Sequence, residues 1–253
     1  MASASVTGAL EPFTWKMYEV YLHAAIKSGY RFLGFDALAD ESVLPDAPFI
    51  LLRHDIDYDP DWTLAISKIE AENHVRATYF FQADSPFYNL DSAGTILVIE
   101  ELLRQGHWLG VHFDANRLND DTEITEEVER AAVRFEVRFG VRLDAASFHM
   151  PTYRPVKHLR LKNKRVNTYS SLFFDRITYF SDSNQDWRGK DILRTLQEKL
   201  YARIQFLVHP IWWRETYSPF HVKLAELAMK LHIPVDAILT REQRDLLAKT
   251  QAN

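Results

Sequence analysis

The chain has 253 residues, 47% of them apolar and 26% charged, a composition typical of globular proteins and far from the disordered regime. A formal charge of -5 argues against general nucleic-acid binding, which needs a basic footprint. The sequence has no cysteine, so disulfides and thiolate metal sites are ruled out and any metal must be held by His, Asp, Glu, Asn or backbone oxygen.

In chain order, Met1 to Leu10 are mostly small residues without a positive charge or an apolar run, unlike a secretory signal. No apolar stretch of about 18 residues is present to span a membrane, so a cytoplasmic location is expected. Phe13 to Ser28 reads as a helix and Arg31 to Phe35 as a short strand, both expected to pack outside the main sheet. Phe49-Ile50-Leu51-Leu52 is an apolar run after Pro48 and reads as a buried strand. Trp62, Ala65, Ile66 and Ile69 have helical spacing, and Ala77 to Phe81 is a β-branched and aromatic strand. Ile96 to Leu103 reads as a helix closed near Gly106, Trp108 to Phe113 as a strand, and Ile124 to Phe139 as a helix ended by Gly140. Ala145 to Phe148 and Ile177 to Phe180 are short strands, with a Lys- and Arg-rich stretch over 154–172 read as an irregular insertion. Asp191 to Leu200 reads as a helix, Ile204 to Val208 as a strand, and Leu224, Leu227, Ala228 and Leu231 as one face of a late helix.

Strands alternating with helices imply a parallel sheet with right-handed crossovers, and about six such units in this length suggest a barrel, with an open doubly wound sheet as the alternative. We expect one domain over 1–253: an extension over 1–47, a core over 48–213 and C-terminal helices over 214–253.

The chemistry gathers at strand ends. Arg53, His54, Asp55, Ile56 and Asp57 follow the first apolar run; His112 and Asp114 end the strand at 108–113; His149 and His209 each follow a strand. In parallel α/β folds ligands bind outside the C-terminal strand ends, so these residues should meet at one mouth. Asp55 and Asp57 share strand parity and can face the same side. Two carboxylates with several imidazoles suit a divalent cation and also acid–base work near neutrality.

The same residues resemble the motifs of the polysaccharide-deacetylase (NodB-like) family, carbohydrate esterase family four. Arg53-His54-Asp55-Ile56-Asp57 resembles a variant of the family's Thr-Phe-Asp-Asp-Gly. Ala77 to Phe80 resembles its Ala-Thr-Phe-Phe strand, and Gly106 to His112 its Gly-His-Glu-(Ile/Val)-Gly-x-His stretch. Phe148 to Pro151 resembles Phe-Arg-x-Pro, Asp182 to Trp187 lies where an Asp-Trp motif stands, and Leu207-Val208-His209 resembles Leu-x-His. The ordered set covers roughly residues 48–213. The resemblance implies a distorted, incomplete (β/α) barrel and a metal-dependent hydrolase that removes an N-acyl group, N-acetyl first of all, from an amino sugar. The form of the first motif points to a branch associated with bacterial surface-glycan metabolism.

The resemblance also implies roles. Asp55 maps onto the general base and His209 onto the general acid. The family's metal-binding carboxylate position is Ile56, leaving Asp57 as the nearest substitute. His112 maps onto the first histidine ligand and Asn116 onto the second. His149 stands where the family has Arg, as a third ligand or as an orienter of Asp55. The expected cofactor is a divalent ion, zinc first, with cobalt or manganese as alternatives. Asp114, Asn116, Tyr153 and Trp212 are candidate substrate contacts; the expected partner is a carbohydrate, as a nucleotide sugar or a lipid-linked glycan. His107 begins the strand that His112 ends, about 16 Å away along it, and is read as structural. Asp182 and Asp186 are left as hydroxyl binders or partners of Arg188. Two other readings stay open: a glycan-binding or assembly protein that has lost its metal, and a hydrolase of another carbon–nitrogen bond such as a formamide or cyclic ureide.

Overall fold

The structure is a computed structural model describing residues 11–40, 43–46, 48–151 and 155–251. Its strands are β1 (Arg31–Phe32), β2 (Phe49–Ile56), β3 (Thr78–Gln82), β4 (Trp108–Phe113), β5 (Ala145–Phe148), β6 (Val166–Asn167), β7 (Thr178–Ser181) and β8 (Arg203–Val208). The helices are α1 (Trp15–Lys27), α2 (Thr63–Glu72), α3 (Ala93–Arg104), α4 (Asp121–Phe139), α5 (Ser171–Asp175), α6 (Ile192–Gln197), α7 (Phe220–Leu231) and α8 (Arg241–Gln251). None of the described helices is long and apolar enough to cross a membrane.

All strand pairs are parallel, in the order β6-β5-β4-β3-β2-β8-β7. Among the described residues no ladder joins β6 to β7, so the barrel is incomplete, as expected. Side chains span the gap instead: Gln205 Nε2 donates to the Thr168 carbonyl at 3.3 Å and Arg53 Nη1 to Thr168 Oγ1 at 3.1 Å. The two-residue period sorts β2 cleanly. Phe49 and Leu51 enter a small inner core with Phe80, Ala145, Val166 and Phe173, while Ile50, Leu52 and Ile56 face the helices. β2 is buried along its whole length, hence its near-continuous apolar sequence. Gly110 of β4 is required inside this barrel: a Cβ there would lie 2.3 Å from the Phe80 ring.

Two expectations are corrected. β1 does not pack outside the sheet; it pairs with the base of β2, Arg31 with Phe49 and Phe32 with Ile50, on the edge that β3 takes further up. The Lys- and Arg-rich stretch is not wholly irregular, because it yields edge strand β6 and the start of α5. Its charges clamp it to the acidic face of α4: Arg165 is 2.9 Å from Glu129 and 2.8 Å from Glu136, and Lys162 is 3.1 Å from Glu126. Helix α4 itself is bounded by its caps, with Asp120 accepting from the Glu123 N–H at 2.9 Å and Gly140 left-handed at φ 64°.

Behind β2, on the helix side, lies a buried polar knot. Glu70 of α2 accepts from Tyr79 Oη at 2.7 Å and from Tyr18 Oη, and its Oε1 lies 2.6 Å from His54 Nε2. The Ala77 N–H donates to His107 Nδ1 at 3.2 Å, so that nitrogen carries no proton and Nε2 faces the Ser67 carbonyl at 3.3 Å. His107 is thus structural, at the strand start. Burial works against ionised Glu70, yet His54 and Tyr18 hold its carboxyl below 4.5.

A buried acceptor that loses one donor is left with its desolvation penalty. Tyr79→Phe should therefore lower unfolding free energy by about 1.5–3 kcal/mol, as for a hydrogen bond to a charged group, read from urea melts at pH 7. A carboxyl with a lowered folded pKa stabilises above its unfolded value, and that stability is lost as pH falls through the folded value. The stability gap between wild type and Glu70→Gln should accordingly narrow as pH drops below 4.5. A gap that widens on acidification would contradict an ionised Glu70.

Candidate metal centre and its cavity

A cavity of about 590 Å³ opens at the C-terminal strand ends. Asp55, Asp57, His112, His149, Ser181, Leu207 and His209 all line it, so five strands deliver residues to one mouth. Asp55 faces inward from β2 and Asp57 follows just beyond the strand end with the same parity.

The tightest group is Asp57, His112 and His149, each offering a ligand atom within 4.8 Å of the others. Asp57 Oδ1 lies 3.0 Å from His112 Nε2 and 3.1 Å from His149 Nδ1, and those two nitrogens are 3.2 Å apart. His112 Nδ1 is 2.6 Å from Ser147 Oγ, which turns Nε2 toward Asp57. Burial opposes charge on Asp57, but His149 and His112 hold its carboxyl well below the usual range; the same contact raises His149 against burial. One carboxylate oxygen and two imidazole nitrogens converging at the floor of an open cavity are a donor set suited to zinc or a similar divalent ion. The residues present fit such a group.

Asp55 lies beside this triad but is committed elsewhere. Arg53, two residues earlier on the same face, grips it through Nε at 2.8 Å and Nη2 at 2.6 Å. Ser147 Oγ donates to Asp55 Oδ1 at 3.3 Å, and His112 Nδ1 is 3.6 Å from Oδ2. Burial would raise the Asp55 carboxyl; Arg53, with His112 and His209, more than offsets it and holds the group ionised.

Opposite, His209 Nδ1 lies 2.6 Å from Asp182 Oδ1. Asp182 also accepts from the His209 backbone N–H at 3.0 Å and from Trp213 Nε1 at 2.8 Å, so the carboxylate is fixed on three sides. His209 Nε2 then points into the cavity, 3.7 Å from Asp57 Oδ2. Burial alone would lower this imidazole, but Asp182, Asp57 and Asp55 raise it from 6.5 to about 9.

The remaining sequence candidates fall differently. Asp114 Oδ1 is taken up by the Asn116 N–H at 3.0 Å and Nδ2 at 2.9 Å, and Asn116 Nδ2 also faces the His149 and Met150 carbonyls at 3.4 Å. Both sit beside the cavity, outside its lining, and Asn116 braces the backbone carrying His149. Trp212 lines the wall but is only 2% exposed, and Trp213 packs in the core against Phe13 and Tyr18. Tyr153 lies outside the described residues. Asp186 caps the Arg188 backbone N–H at 2.7 Å, leaving the guanidinium of Arg188 unbound by it. Sequence reasoning weighed Arg53 only as a general partner of the strand-end acids, not as the specific grip on Asp55, and missed Asp182 as the anchor of His209. Strand parity signals the first, and the rule of strand ends, applied to β7, signals the second.

No protein-family model matches the chain, and no curated protein matches it. Solved structures do. A peptidoglycan deacetylase, PdaC from Bacillus subtilis, shares 17% identity over 83% of this chain and 96% of its own, at a TM-score of 0.46. The Streptococcus pyogenes deacetylase PplD, in complex with acetate, shares 13% over 92% of this chain and 93% of its own, at 0.46. The chitin deacetylase of the fungal pathogen Colletotrichum lindemuthianum shares 15% over 73% and 83%, at 0.44.

The electrostatics give a direct check. In the metal-free protein, NMR titration of His209 should show a midpoint near 9, falling toward 6.5 in Asp182→Asn. An unshifted midpoint in that variant would mean that Asp182 does not set the charge of His209.

Proposed function

We propose that this chain is a metal-dependent hydrolase that removes an N-acyl group, N-acetyl first of all, from an amino sugar of bacterial surface-glycan metabolism. One observation carries the reading. A ready donor set, Asp57, His112 and His149, sits between an ionised carboxylate, Asp55, and a protonated imidazole, His209, in one cavity.

Asp57, His112 and His149 would hold the ion. When bound, a divalent cation there supplies Lewis-acid polarisation and a lowered pKa for water. Asp55 takes the proton of the attacking water as its oxygen bonds to the amide carbon. His209, protonated near neutrality, delivers a proton to the amide nitrogen as the carbon–nitrogen bond breaks, releasing a carboxylic acid and a free amine. Arg53 keeps Asp55 ionised and aimed, and Asp182 keeps His209 charged and turned inward. Ser181, Ser183 and Asn184 line the same cavity and offer hydrogen bonds to sugar hydroxyls.

A second reading, glycan binding without turnover, is favoured by a specific contact: both Asp55 oxygens are engaged by Arg53, which lowers the basicity of the proposed base. Turnover decides between them. Elemental analysis of wild type should find one divalent ion per chain, lost in His112→Ala. Asp55→Asn should keep the ion while hydrolysis of N-acetyl sugars drops about 10²- to 10⁴-fold. Wild type free of metal that binds the sugar and releases no acetate would favour the binding reading. Metal lost in Asp55→Asn would make Asp55 a ligand and overturn its role as base.

A further inference from the structure

The inner wall of the barrel carries a hydroxyl to which the proposed chemistry gives no role. Ser147 stands in β5 between Ala146 and Phe148, in a strand otherwise apolar, and it is fully buried. A buried hydroxyl has to be hydrogen-bonded, and this one has polar neighbours on two other strands. Ser147 pairs in register with His112 of β4, so both side chains point to the same side of the sheet, and Oγ lies 2.6 Å from His112 Nδ1. Across the barrel interior the same Oγ donates to Asp55 Oδ1 of β2 at 3.3 Å. One side chain therefore touches both a member of the proposed metal donor set and the proposed base.

The protons along these contacts have one consistent placement. Arg53 donates to both oxygens of Asp55, at 2.8 and 2.6 Å, so the carboxylate is ionised and only accepts. A serine hydroxyl has a single proton and gives it here to Asp55. The contact with His112 then requires the imidazole to be the donor, which puts a proton on Nδ1. Asp55 Oδ2, 3.6 Å from the same nitrogen, favours that placement. Nε2 is left as the ligand atom of the ring, and it is the nitrogen that lies 3.0 Å from Asp57 Oδ1 and 3.2 Å from His149 Nδ1. Were the hydroxyl to donate to His112 instead, the lone pair would sit on Nδ1 and the donor set would lose one of its three atoms.

We propose that Ser147 is a positioning residue of this site: its hydroxyl orders His112 to bind metal through Nε2 and at the same time holds Asp55 beside it. The inference rests on the donor set of the hydrolase reading and adds the residue that ties ligand to base. Hydrogen-bond partners of a metal-bound histidine fix its tautomer and ring orientation, and losing one costs about 10- to 100-fold in metal affinity or activity.

The test reads zinc binding and the His112 ring, neither of which needs a substrate. In the zinc-loaded full chain, long-range proton–nitrogen NMR should show His112 protonated on Nδ1, with that proton protected from exchange with water. Zinc affinity, measured by competition with a chromophoric chelator, should fall about 10- to 100-fold in Ser147→Ala, and the protection should be lost. Ser147→Thr keeps the hydroxyl and should retain both. Thermal melts of the zinc-free variants show whether each is folded, and the wild-type spectrum tests the tautomer without any variant. His112 protonated on Nε2 in the zinc-loaded protein overturns the proposal, as does an unchanged zinc affinity in Ser147→Ala. A loss of affinity with the Nδ1 proton still protected overturns it as well, since Ser147 then supplies packing rather than a hydrogen bond. Acetate release by a protein whose His112 binds zinc through Nδ1 sinks this inference and leaves the hydrolase standing. Zinc bound as described, with no N-acetyl sugar hydrolysed, does the reverse.

Discussion

The two-residue period of β2 governs the site. Because consecutive side chains of a strand point to opposite faces, Arg53 and Asp55 share the barrel interior with Asp57 just above, while His54 faces the helices. A one-residue slip would send the carboxylates into the apolar layer under α1 and α2 and bring His54 into the cavity. Two fixtures oppose that slip. On the inner face Arg53 is bound by Asp55, Thr168 and Tyr169 and lies over the Phe80 and Tyr169 rings; on the outer face His54 is locked to Glu70. Breaking a buried, hydrogen-bonded ion pair such as Arg53–Asp55 by removing one partner typically costs about 3–5 kcal/mol, so this pair is a strong register pin, and the His54–Glu70 contact holds the opposite face.

Much of this was legible beforehand. The strand–helix alternation pointed to a parallel sheet, barrel or open, and the rule that parallel strands collect ligands at their C-terminal ends brought Asp57, His112, His149 and His209 together from four separate stretches. His107 was separable from His112 by strand length alone. β6 was not legible, because a two-residue edge strand inside a cationic stretch has no period to detect; its position is set by long-range pairing with β5 and by the Arg165 clamp on α4. Nor was the pairing of β1 with β2 visible, since two residues cannot announce a partner. Glu70 escaped for the opposite reason: on a helix a lone Glu reads as solvated, and only the tertiary placement of Tyr18, His54 and Tyr79 makes its burial tolerable.

The site departs from the motifs it resembles in a coordinated way. Where the motif it resembles has Arg after the fifth strand, this chain has His149, whose Nδ1 lies with Asp57 and His112 in a group that could hold a metal ion. The arginine that grips Asp55 comes from position 53 of β2. Asn116, standing where a second histidine ligand would be, braces the His149 backbone. In the proposed site three donors are kept, with His149 in place of position 116, and Arg53 is the clamp on Asp55.

That proposed donor set is the central claim, and a crystal structure of the zinc-soaked protein, with anomalous data collected on both sides of the zinc absorption edge, tests it most directly. The account predicts one edge-dependent peak bonded to Asp57, His112 and His149, with Asp55 still on Arg53 and Asn116 still on the 149–150 backbone. A peak that takes Asp55 away from Arg53, or that recruits Asn116 in place of His149, would contradict it.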